Sequence, residues 1–148
     1  MKRGNILFIP AFQFPDGGSA DKLLIVMNDP KNTAGKIYMV ITTSQQKGDL
    51  RQRNASCQCQ PKRKEFFFPA GPFFAKDTWA LLNRTPVIRS TQEIQNALNA
   101  KRCSVVNTLS DDVVNAVTNC ISGHCSDDLT REECDLLGIK YGSSGLSK

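Results

Sequence analysis

Three strand-like apolar segments precede any helical pattern in this chain, and that order constrains the fold more than any other feature. Residues 6–9 form a short apolar run that Pro10 closes, residues 23–27 (LLIVM) form a continuous apolar run, and residues 37–43 (IYMVITT) are rich in branched and aromatic side chains. The sequence FPDGG between the first two runs is typical of a tight turn. The sequence therefore predicts a chain that begins as a β-sheet.

The remaining two thirds of the chain predict more strands and a few short helices. Ser90 and Glu93 have capping-box spacing, as do Thr130 and Glu133, so each pair marks the start of a helix. The predicted elements are, in order, a strand over residues 65–68, one or two strands within 73–82, a helix over 91–100, a strand over 103–109, a helix from Ser110 to about Gly123, and a helix from about Thr130 to Gly138. The aromatic side chains of residues 66–79 are expected to form the core rather than to stack on bases. The fold class that follows is α+β and mainly β.

Length and composition predict one compact, non-membrane domain. A chain of 148 residues can bury one good core, and its 40% hydrophobic and 22% charged residues exclude a disordered chain and a coiled coil. No segment approaches the ~20 apolar residues that span a bilayer, and the start lacks a small-residue cleavage site. We therefore expect a cytoplasmic protein, no membrane partner, and six cysteines that are mostly thiols.

Charge divides the chain into a basic body and an acidic end. Residues 1–109 carry sixteen basic and seven acidic side chains, whereas residues 110–148 carry three and seven. A basic body predicts a polyanionic partner such as nucleic acid or an acidic protein segment. We divide the chain into a domain over residues 1–121 and an acidic, partly helical extension over 122–148 with a frayed end. The acidic residues of 111–135 would form either an ordinary helical surface or a brake folded over the basic region.

The most basic segment is residues 47–64 (KGDLRQRNASCQCQPKRK), which we predict to be an exposed loop or a long hairpin. It contains one acidic residue and six basic ones, namely Lys47, Arg51, Arg53, Lys62, Arg63 and Lys64. Such a segment is either a solvated loop or a surface that attracts RNA at low salt.

The order of these pieces resembles the MazF/PemK family of toxin endoribonucleases. The resemblance rests on KRGNILFI, a turn with DGG, a basic residue opening a strand (Lys22 before LLIVMN), and a strand ending in ITTSQQKG. It covers residues 2–48 well and 65–121 loosely. The resemblance implies a small SH3-like antiparallel barrel with short C-terminal helices, a homodimer, and an antitoxin protein as partner.

The resemblance also implies a reaction and the residues that perform it. Family members cleave single-stranded RNA without a metal or other cofactor, by attack of the 2'-hydroxyl on the adjacent phosphate. This reaction needs groups that accept and donate protons and a fixed positive charge beside the phosphate. The catalytic positions carried over to this sequence are Lys22, Thr42, Thr43, Ser44, Lys76 and Asp77.

Two departures keep a second function open. Lys22 stands where the family has an arginine, and a lysine lacks the planar fork that binds a phosphate at two points. The arginine that usually precedes the acid is also missing unless Lys76 replaces it. The alternative is a non-catalytic binding module of the same fold, such as a CcdB-type gyrase poison or an inactive adaptor. The single histidine, His124, excludes a two-histidine ribonuclease mechanism.

The cysteine spacing does not favour a metal site. Cys57 and Cys59 lie one residue apart, and a second group near the end of the chain comprises Cys120, His124, Cys125 and Cys134. These spacings differ from the paired CxxC pattern of structural zinc sites. We therefore predict no metal.

Overall fold

The computed structural model describes residues 1–14, 16–32, 35–44, 54–60, 63–82, 86–125 and 129–140. Within these residues the strands are β1 (Asn5–Gln13), β2 (Ser19–Val26), β3 (Lys36–Thr43), β4 (Ser56–Gln60), β5 (Arg63–Phe68), β6 (Thr78–Leu81), β7 (Val87–Ser90) and β8 (Ser104–Thr108). The α-helices are α1 (Thr91–Asn99), α2 (Asp111–Cys120) and α3 (Arg131–Leu137). A short 3-10 turn, Pro30–Asn32, precedes β3, and a π-helical turn, Ile121–Cys125, continues α2.

The strands form one antiparallel sheet in the order β4-β5-β6-β3-β2-β1-β8, and β7 pairs with β3 beside this path. The central strand is β3, which pairs with β2, β6 and β7. Six of its eight residues are buried. The predicted α+β, mainly β class is confirmed, whereas closure of the sheet into an SH3-like barrel stays a prediction.

The first strand does not end at Pro10 as predicted. β1 continues to Gln13 through an irregularity between Ile9 and Phe12, where Ala11 adopts a positive φ of 52°. β8 pairs with β1 only between Asn5 and Phe8, so the missing N–H of Pro10 falls beyond that ladder. A bulge of this kind lets a proline remain inside a strand.

The middle of the chain differs most from the prediction. Only Thr78–Leu81 is a strand within residues 73–82, and the strand Val87–Ser90 was not predicted. The basic segment contains β4 and the start of β5, which pair as a hairpin from Ser56↔Phe67 to Gln60↔Arg63. The hairpin alternative is therefore confirmed for this part, while residues 45–53 lie outside the described residues.

The three predicted helices are confirmed. The residues that mark where each helix begins are its neighbours in sequence. The hydroxyls of Ser90, Ser110 and Thr130 accept hydrogen bonds from backbone N–H groups of the first turn of α1, α2 and α3, respectively. The capping box at Thr130 is complete, and Gly138 ends α3 with a left-handed φ of 73°.

The predicted aromatic core is confirmed. Phe66 and Phe68 pack against each other with ring centroids 5.0 Å apart, and Phe68 also contacts Phe74 at 5.1 Å. On the other face of β5, Phe67 packs on Trp79 at 5.2 Å. All five side chains are buried, so they are held in the fold rather than offered to bases.

The C-terminal segment packs into the same core as the strands. Leu136 and Leu137 of α3 belong to one buried cluster with Val40, Val114, Phe66 and Phe68. The described part of the acidic extension is therefore part of the folded domain.

One pair of cysteines contradicts the expectation of thiols. Cys57 of β4 and Cys120 at the end of α2 form a disulfide, with their Cα atoms 5.6 Å apart and a sequence separation of 63. Cys57 is exposed and Cys120 is buried. β4 contacts α2, which brings the two cysteines together although nothing local in the sequence pairs them. Cys103 and Cys134 are buried thiols.

None of the helices in the described part of the chain has the length and apolar character that a membrane span requires.

Candidate active-site cleft

A cleft of about 160 Å³ opens where β1, β2, β3 and β6 approach one another. It is lined by Phe8, Asp21, Lys22, Leu23, Thr42, Thr43, Ser44 and Thr78. The structure therefore brings four of the six predicted catalytic residues together, from the consecutive strands β2 and β3 and the residue that follows β3.

The register of β2 and β3 produces this meeting. Leu24 pairs with Ile41, and the hydroxyl of Thr42 donates a hydrogen bond of 2.7 Å to the carbonyl oxygen of Leu23. The β2–β3 pairing ends at Leu24↔Ile41, and Lys22 and Thr43 lie two residues beyond it on their strands, where both line the cleft. The start of β2 and the end of β3 thus place an ammonium group and hydroxyl groups at one edge of the sheet.

The hydroxyls of Thr42, Thr43 and Ser44 differ in whether a bound molecule can contact them. Thr42 is only 2% exposed, and its proton is engaged by the backbone of β2. Thr43 is half-buried and Ser44 is exposed, so both can meet a bound molecule. Thr42 holds the two strands in register, and its neighbours supply the accessible hydroxyls.

Asp21 is a cleft residue that the sequence analysis treated only as a flanking group. Its Oδ1 accepts a hydrogen bond of 2.9 Å from the backbone N–H of Ala11, at the irregularity in β1. This hydrogen bond fixes the orientation of the carboxylate. Because an irregularity in the neighbouring strand β1 cannot be located in sequence, nothing in the residue pattern pointed to this role.

Lys76 and Asp77 do not line the cleft. Both are exposed, and Asp77 Oδ1 accepts a hydrogen bond of 2.8 Å from the backbone N–H of Ala70. The next residue, Thr78, does line the cleft, and its hydroxyl donates to the carbonyl oxygen of Lys76 at 2.8 Å. Asp77 therefore closes a loop beside the cleft.

The predicted RNA-binding residues fall into two groups. Lys47, Arg51, Arg53 and Lys62 lie outside the described residues, as does the side chain of Arg63. Lys64 is half-buried near the start of β5, next to the pair Glu65↔Leu81. The cleft residue Thr78 pairs with Phe68, at the opposite end of β5. Four residues of extended strand, about 13 Å, separate Lys64 from that end.

The strands that precede and follow residues 45–53 are β3 and β4, which lie three strands apart in the sheet. Ser56 pairs with Phe67, Phe67 with Trp79, and Trp79 with Thr43, so these four residues lie side by side across β4, β5, β6 and β3. Thr43 and Ser44 line the cleft. The basic positions 47, 51 and 53 thus occur in the sequence between two flanks at the cleft end of the sheet.

The described acidic residues of α3 lie at the other end of β3. Glu132 forms an ion pair of 2.6 Å with Lys36, the first residue of that strand. Thr43 is the last residue, about 23 Å further along an extended strand. This contact anchors α3 away from the cleft, and Asp127 and Asp128 lie outside the described residues.

A second, larger groove of about 450 Å³ lies between the far half of β1 and α1. Its lining is mainly apolar and includes Phe12, Met39 and Ile94, with Arg89 and Arg102 also lining it. Cys103 lines the groove as well, and burial raises the pKa of its thiol while Arg102 opposes that change. The thiol is therefore a poor nucleophile at neutral pH. Sequence reasoning missed the groove because its residues come from five separate segments.

Metal ligands do not converge in the described part of the chain, where no three His, Cys, Asp or Glu side chains are grouped closely enough to hold an ion. Cys57 and Cys120 are joined to each other. The side chains of Cys59, His124 and Cys125 lie outside those described.

No known protein family matches the chain, and no curated protein is significantly similar to it.

Proposed function

We propose that this chain is a metal-independent endoribonuclease of the MazF/PemK kind, a cytoplasmic toxin that cleaves single-stranded RNA and is neutralised by an antitoxin. The observation that carries the proposal is the meeting of Lys22 with Thr43 and Ser44 in one cleft. A cation beside hydroxyl groups suits a phosphodiester, because the charge that develops on phosphorus is stabilised by fixed positive charge and hydrogen-bond donors.

In the proposed reaction the ribose 2'-oxygen attacks the adjacent phosphorus and the bond from phosphorus to the 5'-oxygen breaks. The products are a 2',3'-cyclic phosphate and a 5'-hydroxyl. We assign Lys22 to hold the phosphate and to donate the proton that the leaving 5'-oxygen takes up. Thr43 and Ser44 donate hydrogen bonds to the non-bridging oxygens.

The proton of the 2'-hydroxyl needs an acceptor, and Asp21 is the carboxylate among the residues that line the cleft. We assign it this role in preference to Asp77, whose carboxylate is turned to the Ala70 loop. The hydrogen bond from Ala11 leaves the second oxygen of Asp21 for the substrate and fixes the orientation of the group.

The basic residues at 47, 51 and 53 support the same proposal. They follow Ser44 directly in sequence and precede β4, whose first residue also lies at the cleft end of the sheet. Basic side chains attract RNA through its phosphates, so binding is expected to weaken steeply as salt rises.

The test is cleavage of a long single-stranded RNA in the presence of EDTA, with the cut ends mapped. We expect the wild-type protein to cut, Lys22→Ala and Thr43→Ala to lose at least about a hundredfold in rate, and Lys31→Ala, an exposed lysine outside the cleft, to cut normally.

Asp21 and Asp77 are distinguished by isosteric variants. Asp21→Asn keeps an acceptor for the Ala11 N–H but removes the charge, and we expect a loss of about a hundredfold or more. Asp77→Asn is expected to cut at close to the wild-type rate. The reverse order of the two effects would return the catalytic role to Asp77, and a folded wild-type protein that does not cut would refute the ribonuclease proposal.

The apolar groove favours one alternative, a non-catalytic binding module of the same fold. Its volume of about 450 Å³ is within the range of ligand-binding pockets. Under this alternative the Lys22 and Thr43 variants bind the partner normally, whereas Phe12→Ala or Ile94→Ala in the groove does not.

A further inference from the structure

The apolar groove between β1 and α1 has a lining that the chemistry of the cleft does not use. Its volume is about 450 Å³. The deepest lining residues belong to one buried cluster and are no more than 8% exposed; they are Phe12, Met39, Val87 and Ile94. Ligand pockets of proteins are concave, mainly apolar and about 300–1,000 Å³ in volume. The groove therefore has the size and the lining of a site for a small apolar molecule.

Three charged side chains line the groove within the described residues, and two of them neutralise each other. Arg89 and Glu93 form an ion pair, with Nε and Oε2 3.7 Å apart. The guanidinium of Arg89 also donates a hydrogen bond of 3.0 Å to the carbonyl oxygen of Ile88. The positive charge of Arg89 is therefore already balanced by groups of the protein.

The third charged residue, Arg102, is in a different situation. Its backbone N–H donates a hydrogen bond of 2.8 Å to the carbonyl oxygen of Ala97, which fixes the chain just after α1. Its side chain is exposed, and the guanidinium makes no hydrogen bond or ion pair with any residue that the structure describes. The lining of the groove thus carries one net positive charge, on a group that is available to a ligand.

We propose that the apolar groove binds a small apolar molecule with one carboxylate group, such as a fatty acid of medium chain length. The apolar chain covers Phe12, Met39 and Ile94, and its burial stabilises the complex. The two carboxylate oxygens accept hydrogen bonds from Arg102, because a planar guanidinium matches a carboxylate at two points. This site goes beyond the proposed function and is independent of whether the cleft cleaves RNA.

The first test compares octanoate with octanol, which has the same chain length and no charge, by calorimetric titration of the full chain. We expect octanoate to bind about tenfold more tightly than octanol, and Arg102→Gln to remove this difference. Lys101→Gln removes the same charge from a neighbouring exposed residue that does not line the groove, so it should keep the preference. Since Arg102 is exposed, its variant should keep the wild-type urea midpoint.

The second test locates the bound chain. Ala97 of α1 is half-buried and lines the groove, so Ala97→Phe fills the space and should abolish binding of both octanoate and octanol. Gln95→Phe places the same ring at an exposed position of α1 outside the groove and should leave binding unchanged. If Ala97→Phe does not fold, Arg102→Gln still decides the outcome.

Three results would overturn the proposal. The first is a folded wild-type chain that binds neither octanoate nor octanol. The second is equal affinity for the two, or a preference for octanoate that survives Arg102→Gln, because the guanidinium would then not recognise the carboxylate. The third is a folded Ala97→Phe variant that binds octanoate as tightly as the wild type does, because the ligand would then lie outside the groove.

Discussion

The disulfide between Cys57 and Cys120 allows a quantitative prediction. Reduction removes a cross-link that spans 63 residues of sequence. The loop-closure entropy that a link of this length removes from the unfolded chain corresponds to about 4 kcal/mol at room temperature. Cys57 is exposed, so its replacement removes the link with little other change, and the buried Cys120 thiol can remain as a small apolar group.

The assay is urea unfolding followed by the fluorescence of Trp79, the single tryptophan, which is buried at 6% exposure. With a slope of about 2 kcal/mol per molar urea, a loss of about 4 kcal/mol lowers the midpoint by about 2 M. Cys57→Ser should show the same lowered midpoint with or without reductant. The slope should rise on reduction, because the unfolded chain without the link exposes more surface.

Two results would refute this reasoning. One is a wild-type midpoint that does not change on reduction although peptide mapping confirms the Cys57–Cys120 link. The other is a Cys57→Ser variant that still responds to reductant, which would show that a different pair of cysteines carries the stabilising link.

Three further predictions concern the sheet, the core and the RNA. Gly4→Ala should lower the free energy of unfolding by about 2 kcal/mol. The reason is that φ is 95° at Gly4 and a Cβ there would lie 2.7 Å from the carbonyl oxygen of Leu109. The control is Gly123→Ala, which has open space around it and should change the urea midpoint little. Burial, together with the negative charge of Glu133, raises the pKa of the Tyr38 phenol above its ordinary value of 10.0. The neutral phenol therefore contributes its full stability below pH 10.0, and this contribution is lost as the pH rises above 10.0. Tyr38→Phe should reduce that alkaline slope by up to about 1.4 kcal/mol per pH unit, and an unchanged slope in pH-dependent urea melts would contradict this assignment. When the logarithm of the RNA-binding constant is plotted against the logarithm of the salt concentration, changing Lys47, Arg51 and Arg53 to Gln should lower the magnitude of the slope by about 2 for single-stranded RNA. An unchanged slope would show that the RNA binds away from these residues.

Local signals made the helices predictable. Each α-helix begins at a Ser or Thr whose hydroxyl meets an N–H of the first turn, and Gly138 ends the last one. These interactions involve residues that are neighbours in sequence, so the sequence contains them directly. The three N-terminal strands were also predictable, because each is a run of apolar residues bounded by turn residues.

Features that depend on distant partners could not be predicted. β7 has only four residues and is a strand because β3 pairs with it. The continuation of β1 past Pro10 depends on where β8 stops pairing and on the carboxylate of Asp21. The Cys57–Cys120 disulfide likewise depends on the packing of β4 against α2.

The cleft could be predicted in part. The proximity of Lys22 to Thr42, Thr43 and Ser44 was implied by the family resemblance, and all four residues line one cleft. Nothing in the residue pattern separates Thr42, which is buried and bonded to the backbone, from its accessible neighbours. Asp21 lacked any distinguishing pattern, because its position follows from the shape of a strand that it does not belong to.

The pairing of β1 with both β2 and β8 has a consequence for how the protein is made. β2 leaves the ribosome soon after β1, whereas Thr108, the partner of Asn5, is synthesised about a hundred residues later. During that interval the nascent chain carries an apolar strand with one edge unprotected, the condition under which chaperones are recruited. A stop codon or proteolytic cut upstream of β8 would make that state permanent, so fragments of this chain should aggregate where the complete chain folds.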